Sequence, residues 1–170
     1  MTDAASSDFD VRAQLLDAWR GELFGAALMR TLRHTLADAD DHEEELHRME
    51  RVEMLMAQAL RETLRITPGP ADVAAANDRA RRVAGGFPDW TDFVAASIVA
   101  LPAPLARFRA LEPVAPPSLK AVVRLLIEHE EQLVVYLDSC AAGRPANQNE
   151  ALHTVEARLR VYLISPPETD

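Results

Sequence analysis

Only one cysteine, Cys140, occurs in the chain, so no internal disulfide can form and no cysteine-ligated zinc or iron–sulfur site can be built. Aromatic residues make up only 5%, glycines number six, and Val and Ile nowhere alternate over five or more residues, so the material of strands is scarce. Basic residues are the minority: eighteen Lys and Arg against twenty-seven Asp and Glu leave a net charge of −9. A surface that acidic repels a phosphate backbone, which argues against nucleic acid as a partner. Long hydrophobic runs are also missing. The most apolar stretch, 93–106, contains Ser97, Pro102 and Pro104 and falls well short of the ~20 residues of a membrane-spanning helix. The opening MTDAASSDFD is acidic and polar where a secretory signal is basic and then apolar. The expectation is a cytoplasmic protein with neither a membrane nor a nucleic acid as partner.

What remains is a chain of 170 residues, 48% hydrophobic and rich in Ala, Leu, Arg and Glu, enough for one well-buried core. Pro, Gly or clustered Asp break it at 38–41, 67–70, 85–88, 113–117 and 143–145. Six helical segments follow, at 9–37, 42–66, 71–84, 89–111, 117–141 and 148–164, forming a single domain over 9–164 between polar tails at 1–8 and 165–170. Pro102 and Pro104 should kink or split the fourth segment, because each removes a backbone donor and crowds the preceding turn. Four of the segments are long enough to span a bundle. The pattern therefore points to an all-α four-helix bundle with one or two short accessory helices.

Three apolar stripes are interrupted by charge. On the first helix Val11, Leu15, Ala18, Gly25, Met29, Leu32 and Leu36 share a face, and Glu22 falls in its middle. On the second, Leu46, Met49, Met56 and Leu60 leave a gap that Glu53 occupies. On the fifth, Leu119, Val122, Leu126, Leu133, Leu137 and Cys140 define the stripe, with His129 and Glu130 about 50° to either side of its centre. Buried carboxylates need a cation, an imidazole, an arginine or a shared proton. A structural explanation would have Arg30 or Arg33 capping them in a polar core network. The functional one is a cluster of carboxylates and an imidazole between facing helices, the usual construction of a metal or acid–base site in a bundle. Gly21 and Gly25 flank Glu22 and would leave room for a ligand.

Other groups suggest less. Glu44 with His47 and Glu150 with His153 form Glu-x-x-His pairs, yet both lie more than about 100° from the stripe of their own helix, so these side chains should face solvent. His34 sits near a helix end, where a cation is favourable without a further role. Met49, Met54 and Met56 are expected as core filling, and Trp19 and Tyr136 first as packing.

Gly21-Glu-Leu-Phe-Gly25, Arg51-Val-Glu-Met-Leu-Met56 and His129-Glu130 followed by Gly143, together with Trp90 and the Ala115-Pro-Pro117 turn, resemble the ferritin-like superfamily, in particular its bacterial members of similar length. The resemblance implies a bundle that binds two irons or manganese ions through one Glu on each of two helices and a Glu-x-x-His on each of the others. Glu22 matches the first ligand and Glu53 the second, but Met56 stands where the histidine partner of Glu53 belongs, and Leu133 stands at the equivalent place after Glu130. The fourth segment offers Ser97, Leu101 and Leu105 on its inward face and no carboxylate. Glu22, Glu53, His129 and Glu130 remain, as metal ligands for one iron or manganese ion or as catalytic groups in a metal-free site, the two being equal alternatives. A non-haem metal-dependent oxidoreductase is the expectation, acting on a small-molecule substrate. Beside it stand a metal-free small-molecule-binding or acid–base protein and an interaction protein on the same fold, with room for a homodimer.

Overall fold

The computed structural model describes residues 3–143 and 150–165, with side chains from Asp10 onward. Among them seven α-helices occur and no strand: α1 (Asp3–Leu32), α2 (Glu43–Leu64), α3 (Pro70–Ala84), α4 (Trp90–Ala100), α5 (Pro102–Leu111), α6 (Pro117–Ala141) and α7 (Glu150–Ile164). A single 3-10 turn, Ala39–His42, leads into α2. The helical backbone takes in 3–8, which the sequence pattern assigned to a tail. The anticipated break at 144–145, the start of the last segment at 148 and the tail from 166 onward lie outside the described residues.

Ion pairs give the helix directions. Arg30 of α1 and Arg33 just beyond its end both reach Glu50 of α2, at 2.7 and 2.8 Å, while Gly25 faces Glu53, so numbers fall along α1 as they rise along α2. The two helices are antiparallel. Arg158 pairs with Glu128 at 2.5 Å and Arg109 with Glu131 at 2.6 Å, fixing α7 and α5 against α6. Along α2, Arg51 meets Glu156 and Thr63 meets Tyr162, so α7 runs in the same sense as α2. α1, α2, α6 and α7 thus alternate in direction, with α3 packed on α1 and with α4 and α5 packed on α6. Leu15 and Leu32 of α1, Leu46 and Leu60 of α2, Leu126 and Leu137 of α6, and Leu152 and Leu159 of α7 are fully buried between them.

The end of the first helix differs from the periodicity. The apolar stripe runs on to Leu36, which is buried, yet α1 stops at Leu32. The reason lies in the backbone. Ala37 donates its N–H to the carbonyl of Pro88 (2.9 Å), and the Asp38 carboxylate accepts from the N–H of Trp90 (2.9 Å), so the chain between α1 and α2 serves as the seat for the start of α4. His42 stacks on the Trp90 ring at 4.6 Å and closes the same corner. The fourth segment splits as its prolines require, with Leu101 between α4 and α5 and Pro102 at the first turn of α5, where a missing donor is tolerated. The split is shallow. Leu101 still donates to Ser97 and Leu105 to Leu101, so 90–111 continues as one apolar rod of 22 residues, long and apolar enough by length and composition to cross a membrane, with 22% of its most apolar 18-residue window buried.

Candidate functional site

Glu22 on α1, Glu53 on α2 and His129 on α6 meet where these three helices face one another, with 3%, 8% and 1% of their surface exposed. His129 Nε2 lies 3.2 Å from Glu22 Oε2 and 3.7 Å from Glu53 Oε1. One donor atom from each residue falls within 4.8 Å of the other two. The interrupted stripes are the cause: each residue replaces an apolar one on a face that must pack inward, so helix packing itself brings them together.

Gly25 makes the meeting sterically feasible. A Cβ there would lie 2.2 Å from Glu53 Oε2 and 2.7 Å from its Cδ, so the bare glycine backbone is the wall against which the Glu53 carboxyl rests. Gly21 does nothing comparable, since a Cβ on it would meet nothing within 4 Å. The room foreseen beside Glu22 is taken by Glu53 itself.

The electrostatics are one-sided. Burial first, and the carboxylate of Glu130 second, push Glu22 well above the usual carboxylate range. Burial and the charge of Glu22 do the same to Glu53, only partly opposed by His129. The two carboxyls act directly on each other, lowering Glu22 and raising Glu53, and a close buried pair of this kind favours one shared proton over two charges. Among the described residues no arginine or lysine forms an ion pair with either. Arg30 and Arg33, the caps that a purely structural role would need, are both engaged by Glu50. Glu22 Oε2 and His129 Nδ1 are buried with no well-formed hydrogen bond among the described residues.

Glu130 stands apart from the three. It is buried and its Oε2 also lacks a hydrogen-bond partner among the described residues, but it does not join the group whose donor atoms converge. A step of 100° from His129 turns it away, to where burial raises its pKa and His129 and Arg107 oppose the rise. The sequence pattern set His129 and Glu130 equally close to the stripe. Packing selects the imidazole.

Two carboxylates and one imidazole, close and dry, are donors suited to a divalent iron or manganese ion. The residues fit one such ion: three donors converge, and among the described residues no arginine or lysine pairs with the two carboxyls. They do not fit two, because only one group of three converging donors occurs among the described residues, and the neighbouring core positions Met56 and Leu133 are buried and apolar.

Beside Glu53 opens a cleft of about 350 Å³. Its walls are Leu28, Met29, Phe93, Leu101, Leu133 and Leu137, with Gly25 and Glu53 at the buried end and Arg79 of α3 at the exposed end. The Arg79 guanidinium lies over the Phe24 ring, 4.0 Å from its centre. Nothing in the sequence singled out Arg79. It sits on a short helix whose placement against α1 is a tertiary fact.

The remaining candidates fall largely as the helical angles require. His47 and His153 are exposed and contact Arg33 and Arg48, and His34 is exposed. Met49 and Met56 fill the core, whereas Met54 is 44% exposed and does not. Trp19 and Tyr136 are buried, and Tyr136 bonds the half-buried Cys140 thiol, whose pKa burial raises. No protein-family model, curated protein or solved structure matches the chain.

Proposed function

We propose that the chain is a ferritin-like bundle with a reduced ligand set, in which Glu22, Glu53 and His129 hold one iron or manganese ion, and that it acts as a non-haem oxidoreductase on a small molecule in the adjoining cleft. The observation that carries this reading is the convergence of three buried donors on one point with no ion pair to an arginine or lysine among the described residues. An ion bound there would supply a redox couple and a Lewis acid beside the cleft. Glu22 and Glu53 would bind it after losing their shared proton, and His129 would bind through Nε2, the nitrogen that faces both carboxyls. Gly25 holds Glu53 in place, and the apolar walls keep water from the reacting end of the cleft. The positions of Glu22 and Glu53 at the centres of their helix faces support the ferritin-like assignment.

The test is metal content and metal-dependent stability. Protein purified without chelators, or incubated with iron(II) or manganese(II), should hold no more than one ion per chain and should melt at a higher temperature when loaded. Glu53→Ala should abolish binding, whereas His47→Ala and His153→Ala should leave it intact. If iron(II), manganese(II) and zinc(II) all fail to bind and none raises the melting temperature, the metal reading is wrong. The closeness of the buried Glu22 and Glu53 carboxyls, both raised above the usual carboxylate range chiefly by burial, favours a second reading, in which the same site is metal-free and a shared proton serves acid–base chemistry or ligand binding.

A further inference from the structure

We infer that the cleft takes a monoanionic amphiphile with an apolar body, such as a medium-chain carboxylate, its head group held by Arg79 at the mouth and its tail directed inward to Glu53. That the inward end is the reacting end rests on the proposed function. The binding mode rests on the cleft alone.

Size sets the first limit. At roughly 30 Å³ for each water-sized group, a volume of about 350 Å³ takes about ten to twelve heavy atoms. Wall chemistry sets the second. Apart from Ser97, Glu53 and Arg79, the lining side chains are aliphatic or aromatic, so most of the ligand must be apolar and its polar group must lie near one of the two ends. Glu53 closes the buried end, where an ionic head group would be stripped of water with no cation to pair it among the described residues; Arg79 stands in water at the other. Head-out is therefore the favoured orientation.

Arg79 is suited to the task. Among the described residues it makes no ion pair, and of the two unpaired arginines of α3, Arg79 and Arg82, it is the one that lines the cleft. The Phe24 ring supports one face of the guanidinium, and a planar cation stacked in this way keeps its edge N–H groups for a carboxylate. Phe24 also precedes Gly25, so one short segment of α1 positions both the cation at the mouth and the wall of the buried site.

Titration calorimetry on chelator-treated protein separates this claim from the metal reading, since it needs no ion. Octanoate, with ten heavy atoms, should bind about tenfold or more tighter than octanol, the margin of one charge-assisted contact. Octylamine should bind more weakly than either. Arg79→Gln should bring octanoate down to the affinity of octanol and leave octanol unchanged. Ala96→Phe, a change at an exposed position in the lining, should weaken both by filling the cleft without touching the core. Equal affinity for octanoate and octanol, preference for octylamine, or octanoate binding indifferent to Arg79→Gln would overturn the inference, whatever the metal content. Octanoate binding in a protein that takes no metal would uphold the inference and remove the oxidoreductase reading instead.

Discussion

Glu53 shows how tightly a buried charge depends on its neighbours. Its carboxyl lies against the bare backbone of Gly25, acts directly on that of Glu22 and faces Nε2 of His129, with no ion pair to an arginine among the described residues. Gly25→Ala should drive the carboxyl out of this position and abolish metal binding by titration. Gly21→Ala, at an exposed helical position with free space around it, should stabilise the protein by about 0.5–1 kcal/mol in urea denaturation, because alanine loses less backbone freedom in a helix. The contrast separates the helix propensity of a glycine from its steric role. Glu22→Gln and Glu53→Gln, each tested without metal, should leave stability equal or raised, since an amide is easier to bury than a charge with no strong partner. A loss of about 3 kcal/mol in both would instead indicate a buried ion-pair network. These residues were legible in the sequence because each interrupts an apolar stripe. Stripe geometry could not separate His129 from Glu130, which lie symmetrically about the α6 face, nor could it find Arg79, an exposed residue among exposed residues.

At the scale of elements, periodicity located the helices and misjudged where the first of them ends. Leu36 continues the stripe of α1 because the turn after the helix packs inward as well, so burial alone could not mark the boundary. Hydrogen bonding marks it: Ala37 and Asp38 are engaged by Pro88 and Trp90, residues some fifty positions away that no local window contains. Asp38 thereby joins the α1–α2 corner to the start of α4. Asp38→Ala should destabilise the protein by about 1 kcal/mol, the usual worth of a hydrogen bond to a helix start, and the loss should appear as a lower melting temperature with site geometry unchanged. Asp38→Asn should recover most of it. The proline split of the fourth segment was readable from sequence; that the two halves nearly continue each other was not, because Pro102 stands in a first turn where it removes no helical bond.

For the whole molecule, the buried carboxyls and the net charge of −9 set the response to pH. Glu22, Glu53 and Glu130 all have folded-state pKa values above the ordinary value of 4.5. A carboxyl raised by folding keeps its proton in the native state while the unfolded chain gives it up. Its stabilising contribution is complete below the unfolded pKa and is lost as pH rises through the folded one. Metal-free protein should therefore lose stability on going from about pH 5 toward 8, the reverse of a protein whose carboxylates are held by arginines. Acidification also relieves repulsion across the acidic surface, so the wild type alone does not isolate the site. A Glu22→Gln, Glu53→Gln double variant does: it keeps the surface and removes the two raised groups, and its stability should fall less steeply over the same range. Metal inverts the dependence, because an ion must displace the shared proton and its affinity should rise as pH rises. Denaturation curves of chelated and iron- or manganese-loaded protein should thus diverge with increasing pH. Parallel curves for wild type and double variant in the absence of metal would mean that the two carboxyls are not held protonated by burial.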